Sequence, residues 1–368
     1  MSPAKVYFTN LRVSFGTTLC EKLQKLVKRA GINELPLENN FTAIKIHFGE
    51  PGNLAFLRPA YAAAIVELIE KAGGKPYLTD CNTLYVGGRK NALDHLKAAY
   101  QNGFTPYATG CQVIIADGLK GTDDVELPVP NGELLQNALI GRGIADSDVI
   151  ISLSHFKAHE MTGMGGAIKN LGMGCGSRAG KKAMHHEGVT KVLTEYCMGC
   201  GRCAKTCAHD APHLVNKKMV IDDGKCVGCG RCIGVCPRDA IVPLDGQAAG
   251  ILDKKIAEYA AAVLKDRPNF HICIAVDISP YCDCHADNDT PILPNIGMFA
   301  SFDPVALDQA CCDMALKAPI IQGSALEQCE KKYGNHFTNL FPTTNWEIQL
   351  EHAEKIGIGS RQYELIEV

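Results

Sequence analysis

Eight cysteines stand at a spacing that selects iron chemistry. Cys197, Cys200, Cys203 and Cys207 recur 29 residues on as Cys226, Cys229, Cys232 and Cys236. The same shift superposes Gly199, Gly201, Arg202, Asp210 and Ala211 on Gly228, Gly230, Arg231, Asp239 and Ala240, so the segment is a duplicated C-x-G-C-G-R-C-x-x-x-C unit. Three thiolates at this spacing wrap one corner of a cubane, and the glycines let backbone N–H groups approach its sulfides. The fourth cysteine lies one helical turn on and ligates the other cluster. The expected sets are Cys197, Cys200, Cys203 and Cys236 for one [4Fe–4S] cluster, and Cys226, Cys229, Cys232 and Cys207 for the second. A double zinc ribbon also uses C-x2-C pairs, but zinc has no use for the third step and the trailing cysteine, twice.

The segment resembles the bacterial two-cluster ferredoxins, and the resemblance implies electron transfer; clusters with a purely structural role are the alternative. One position departs from that pattern. Pro237 follows Cys236 as the family pattern expects, but Ala208 follows Cys207. Alanine keeps an N–H that proline removes, so the two clusters are expected to differ in potential. Between residues 197 and 245 there are seven Lys/Arg and five Asp. Two oxidised cubanes with their thiolates add about −4, leaving the segment near −2. The expected partner is a redox protein: a ferredoxin, a flavodoxin or an oxidoreductase.

A second constellation is Tyr281, Cys282, Asp283, Cys284 and His285, directly after an apolar run at residues 272–278. Cys282, Cys284 and His285 are candidate ligands for an extra metal, with Cys175, His155 or His159 as further candidates. They are equally candidate redox thiols or packing residues. His155 and His159 share a face if the chain is helical there. Seven of the 18 residues from 163 to 180 are glycine, with Lys169 and Arg178 among them. Such a loop suits an anion or a cofactor phosphate, or close backbone packing, but it completes neither the Walker ending nor G-x-G-x-x-G. Asp80, Asn82 and Arg89 follow another apolar run. With Lys157, Lys169 and Arg178 they make a candidate pocket for a substrate, a flavin or an extra metal. No residue is assigned a catalytic role.

The elements that must position these groups alternate in period. Residues 42–48 put Ile44, Ile46 and Phe48 on one face, a strand pattern, and Pro59 opens a helix that Gly73 and Gly74 stop. Strands are expected at 77–80, 113–116, 149–153 and 272–278. Helices are expected at 90–100, 248–265 and 304–316. Such alternation predicts an α/β fold with a mostly parallel sheet and helices on both faces. The pattern stops near Met161 and resumes after about Gly246. The expected organisation is a host domain in two parts, 1–193 and 245–368, interrupted by a small ferredoxin-like α+β two-cluster domain at 194–244. The other cysteines, Cys20, Cys111, Cys273, Cys311, Cys312 and Cys329, read as small core residues.

The whole chain bounds these readings. It has 368 residues, 18 cysteines, 46% hydrophobic and 21% charged residues and a formal net charge of −3, an ordinary globular composition. No block of like charge points to nucleic acid, and no apolar run approaches the roughly 20 residues of a membrane span. The start has no hydrophobic signal-peptide core, and thiols this abundant suit a reducing, cytoplasmic setting.

Four further blocks carry a resemblance over nearly the whole chain. They are T-D-C-N-T-L-Y from Thr79, H-x-x-x-H-x-x-x-G-x-G-G-A-I-K-N-L-G-M-G-C from His155, C-D-C-H from Cys282, and D-P-V-A-L-D-Q-A from Asp303. Together they resemble domain-of-unknown-function family 362 in its iron–sulfur form. The resemblance implies an α/β host with a ferredoxin unit and implies no reaction. The expected minimum function is electron transfer; the alternative is a ferredoxin-linked oxidoreductase whose clusters feed the host pocket.

Overall fold

Eight strands form one sheet in the computed structural model, which describes residues 3–84, 87–185, 190–227, 231–238, 240–243 and 248–368. They are β1 (Ala4–Thr9), β2 (Phe41–Lys45), β3 (Lys75–Asp80), β4 (Gln112–Ile115), β5 (Val149–His155), β6 (Asn269–Ala275), β7 (Gly297–Ser301) and β8 (Tyr363–Glu367). Their order is β8-β1-β7-β6-β5-β2-β3-β4. Only the two pairings of β7, with β1 and β6, are antiparallel. The core run β6-β5-β2-β3-β4 is parallel throughout.

Helices cover both faces. α1 (Leu19–Arg29) and α2 (Pro59–Lys71) seal one side, where Leu26 and Ile65 meet Ile44, Leu78, Ile151 and Ile272. α4 (Ala167–Cys175), α5 (Ala248–Leu264), α6 (Pro304–Lys317) and α7 (Glu347–Lys355) seal the other over Ala43, Ile150 and Cys273, and α3 (Ala92–Gln101) joins β3 to β4. Successive residues such as Ile150 and Ile151 enter opposite cores, as the two-residue strand period requires. Local chemistry sets the helix starts. Pro59 occupies the first turn of α2, and the Asp303 carboxylate accepts the Val305 and Ala306 N–H groups of α6.

The expected strands and helices fall in place with shifted ends. β2 stops at Lys45 rather than running to residue 48, and β5 runs on to His155. His155 and His159 therefore do not share a helix: one ends β5, and the other ends the short strand Lys157–His159. Cys311 and Cys312 lie fully buried in α6, Cys111 and Cys273 are buried, and Cys20 and Cys329 are half-buried. Among the described residues no helix is long and apolar enough to cross a membrane.

No strand between residues 190 and 243 joins the large sheet. Strands Thr190–Val192 and Ile241–Pro243 pair antiparallel, so this stretch begins and ends side by side. Between them lie the helix Arg202–Thr206, the hairpin of Pro212–Val215 with Lys218–Ile221, and the helix Arg231–Gly234. Cys197, Cys203, Met219, Ala240 and Ile241 form a small core of their own. Ile233 packs against both this core and the large one.

Candidate functional site

The parallel run of the sheet changes winding direction between β2 and β5. From β2 the chain proceeds to β3 and β4 on one side, and from β5 to β6 on the other. In such sheets the strand ends splay at the reversal and leave a crevice beyond their carboxyl ends. Asn170 of α4 fills the root of this one. Its amide nitrogen donates to the Lys45 carbonyl at 3.0 Å and to Ser154 Oγ at 3.1 Å, while its oxygen accepts from Lys45 Nζ at 2.8 Å. One side chain thus bridges β2, β5 and α4.

Lys45 alternates with Ile44 and Ile46 and so points to the opposite face, where it is buried. Its ammonium pairs with Asp80 at 3.0 Å. Arg89 sits 3.7 Å from the same carboxylate and bonds Glu50 at 2.8 Å, and His95 approaches Asp80 at 3.8 Å. Burial alone would raise the Asp80 carboxyl, but Lys45 and its cationic neighbours outweigh that and hold it well below the usual range. Burial pushes His47 down to about 3, helped by the Arg89 charge. Lys45, His47, Asp80 and Arg89, with Lys157, Lys169, Lys181, His155, Cys282 and Cys284, line a cavity of about 580 Å³ including its open mouth, and Glu50 and His95 back it.

The loop after β6 supplies its thiols. The His285 N–H donates to the Cys282 carbonyl, Glu50 N–H to the Asp283 carbonyl, and Asn53 to the His285 carbonyl, so the loop is fixed at three points. Asp283 turns away from the cysteines. It meets His155 Nδ1 at 2.8 Å and Lys157 Nζ at 3.3 Å, and these neighbours outweigh its burial and hold its carboxyl well below the usual range. His155 Nε2 meets the Val276 carbonyl at 2.6 Å. Both ring nitrogens are thus taken up by oxygens of the protein, and neither faces the cysteines as a free ligand atom.

Two overlapping sets have ligand atoms mutually within 4.8 Å: His159, Cys282 and Cys284, and Glu160, Cys284 and His285. All five are buried. Cys284 donates a hydrogen bond to Cys282, which together with the Lys169 and Lys157 charges pulls the Cys282 thiol far below its ordinary value. Lys169 Nζ stands 3.8 Å from the Cys282 sulfur. The Cys284 thiol is correspondingly pushed up.

The expected pocket residues divide. Asp80, Arg89, Lys157 and Lys169 face the cavity. Asn82 does not: it is turned to Asp117, bonding its carboxylate at 2.8 Å. Arg178 lies elsewhere too, donating to the Lys120 carbonyl against Gly121. Cys175 is outside both metal-capable sets, and its carbonyl accepts from Cys81 at 3.3 Å. Burial raises its thiol to about 11. The glycines of residues 163–180 serve packing. A Cβ at Gly172 would collide with the Ile256 carbonyl of α5, and one at Gly174 with the Lys45 ammonium. Lys45, His47, Glu50, His95 and Glu160 belong to the site without having been singled out, and Lys181, a cation beside the glycine-rich loop, lines the cavity. Lys45 had a signal, since a charge inside a strand buried on both faces needs a partner.

In the other constellation, Cys197, Cys200, Cys203 and Cys236 line one small apolar void with Met219, Pro237 and Ile241. Gly199 and Met219 N–H groups reach the Cys197 sulfur at 3.4 Å, and Ala240 N–H reaches the Cys236 sulfur at 3.3 Å. Gly199 has φ 68° and packs against the Lys217 carbonyl, which leaves no room for a side chain. The Thr190 hydroxyl lies 3.9 Å from the Cys226 sulfur and 3.5 Å from that of Cys232. Cys207 caps the helix Arg202–Thr206 and is half-buried, and Cys229 lies outside the described residues.

A thylakoid-associated protein of Synechocystis is 27% identical over 128 residues, 34% of this chain and 35% of that protein. The chain thus spans about a third of that curated relative's length. Two solved structures align at low identity. The lactate racemase apoprotein from Thermoanaerobacterium thermosaccharolyticum has a TM-score of 0.34 and 11% identity, covering 74% of this chain and 51% of that one. A protein from Thermotoga maritima has a TM-score of 0.35 and 12% identity, covering 70% and 50%. The chain spans about half the length of each. The family model described as a domain of unknown function, DUF362, matches residues 42–313. That range takes in β2 through most of α6, well over half the chain, and the chain belongs to the DUF362 family.

Proposed function

We propose that this chain is an iron–sulfur redox protein, with two [4Fe–4S] clusters in a ferredoxin-like domain at 194–244 docked on an α/β host of 1–193 and 245–368. The observation that carries the reading is the void lined by Cys197, Cys200, Cys203 and Cys236, where a cysteine of the second repeat completes the set of the first. Its apolar walls and the N–H groups aimed at sulfur suit a cubane. Cys226, Cys229, Cys232 and Cys207 would hold the other cluster. Each cluster supplies one-electron transfer. The protein's own residues ligate it, exclude water and tune its potential through the N–H···S bonds. Exposed Tyr196, Met198 and Leu214 lie in the same segment as Cys200, the one exposed cysteine among those described, and suit a docking redox partner protein. Free thiols throughout the described residues suit a reducing cytoplasm.

A second reading, a cluster-fed oxidoreductase, is favoured by the cation-lined cavity at the sheet edge. Five cationic side chains, those of Lys45, Arg89, Lys157, Lys169 and Lys181, suit an anionic substrate.

Anaerobic purification with iron and sulfide analysis tests the iron–sulfur reading. About eight irons per chain are expected from two cubanes. The Cys236→Ser variant should lose roughly half of that iron and one of two paramagnetic signals after dithionite reduction. Fewer than about four irons in reconstituted protein would overturn the assignment.

A further inference from the structure

We propose that Cys282 and Cys284 form a dithiol–disulfide centre, a two-electron store at the host's sheet edge that exchanges electrons with the clusters. The electron exchange rests on the iron–sulfur reading above. The dithiol chemistry does not.

The hydrogen-bond pattern separates this centre from a metal site built of the same atoms. His159 Nδ1 accepts the Met161 backbone N–H at 3.1 Å. A neutral imidazole that accepts at Nδ1 carries its proton at Nε2. The nitrogen left to face the cysteines is then a donor, and His159 hydrogen-bonds Cys282 in that sense. Metal ligation through Nε2 would require an imidazolate, or loss of the Met161 bond. Lys169 at 3.8 Å and Lys157 nearby would repel a dication, whereas both favour a thiolate. Cys282 is thus provided with donors from His159, Cys284 and Lys169. A thiolate beside a second thiol two residues away is the arrangement that closes a disulfide.

The step balances with the two proposed clusters as the oxidant. The Cys282 thiolate and the Cys284 thiol together give up two electrons and one proton as the Sγ–Sγ bond forms. Two oxidised clusters, held by the cysteine sets named above, would each accept one of these electrons. The proton leaves to solvent through the open mouth of the cavity that Cys284 lines; Glu160 cannot keep it, because His159 and His285 outweigh its burial and hold its carboxyl well below the usual range. Glu160 Oε1 is held by His285 at 2.7 Å. Reduction of the disulfide runs the same steps backwards.

The chain links the thiols' surroundings to the second cysteine group. His185 lines a smaller cavity with His159, Glu160, Cys284 and His285. Thr190, whose hydroxyl touches the Cys226 and Cys232 sulfurs, follows five residues later. Five residues span at most about 17 Å, which bounds the distance from His185 to Thr190.

Thiol trapping on the anaerobic holoprotein tests the proposal. The protein is equilibrated with reduced and oxidised dithiothreitol at graded ratios, alkylated with iodoacetamide and digested. Under reducing ratios Cys282 and Cys284 should both be alkylated; under oxidising ratios their peptide should carry neither label and weigh two hydrogens less. In a second arm the clusters are photoreduced in protein holding the disulfide. Their absorbance should recover as the bond opens in the natural chain and stay bleached in Cys284→Ser. Full alkylation at every ratio overturns the dithiol. So does a stoichiometric zinc or extra iron that shields both thiols until a chelator removes it. Disulfide formation with no cluster reoxidation overturns the electron exchange. Reconstituted protein that holds fewer than about four irons yet still closes the bond sinks the iron–sulfur reading and leaves the dithiol standing.

Discussion

The charge on Lys169 is 3.8 Å from the Cys282 sulfur, inside a cavity that other cations line. Methionine at 169 keeps the aliphatic stem and deletes the charge, which raises the Cys282 thiol toward its ordinary range. Alkylation of Cys282 at pH 7 should slow several-fold in Lys169→Met, while Cys20, half-buried and remote from Lys169, should react as before. An unchanged rate would mean that Lys169 does not activate the thiol. Ala208 poses the matching question for the clusters. Proline there removes a backbone N–H next to Cys207, so Ala208→Pro should lower the potential of the cluster that Cys207 ligates and leave the other in place. Equal potentials, untouched by the substitution, would refute it. Cys282, Cys284, Asp80, Arg89 and Lys169 were legible because each lies near a strand end or in a motif. Glu160 was not, since its partner His285 lies 125 residues away; Lys45 showed as a charge inside an apolar strand, but its partner Asp80, 35 residues on, could not be named.

At the scale of elements, the seam between β2 and β5 depends on one amide. Asn170→Leu removes its bonds to Lys45, Leu153 and Ser154 and leaves the buried Lys45 ammonium with Asp80 alone. Leaving such groups unsatisfied costs about 1–3 kcal/mol, which urea unfolding of the anaerobic protein should show as a lower midpoint. An unchanged midpoint would place the brace elsewhere. Asn170 also explains why the glycine-rich run looked like a phosphate loop. Its glycines bring α4 against Lys45 on one side and against α5 on the other, and spacing alone cannot separate close packing from anion binding. Periodicity marked β2 to β6 because those strands lie between helices and read as apolar runs. It missed β1, β7 and β8. Their pairings link chain ends some 300 residues apart, and Tyr7 opposite Ala300 leaves no local trace.

Across the whole molecule, stability should depend on pH through two buried groups that pull in opposite directions. His271 lies between the Ser152 hydroxyl and the Asn269 amide oxygen, and burial pushes it down to about 3. Unfolded histidine titrates near 6.5, so below that the unfolded chain takes up a proton that the native one refuses. Its contribution is complete above about pH 6.5 and shrinks as pH falls toward 3. Asp308 accepts the Ala167 and Ile168 N–H groups at the start of α4, yet burial pushes it up to about 7. Here the native state keeps a proton that the unfolded chain loses above about pH 4. That contribution is complete below pH 4 and fades as pH rises to 7. Between pH 5 and 6.5 the two slopes offset each other in the natural protein. His271→Gln removes one of the histidine limbs that oppose Asp308, His47 being another, and the slope should fall by up to about 1.4 kcal/mol per pH unit. Asp308→Asn should raise it by a similar amount, because only the histidine limbs remain. Urea midpoints of the three anaerobic proteins across that interval decide the matter, and three parallel curves would show that neither group carries the linkage.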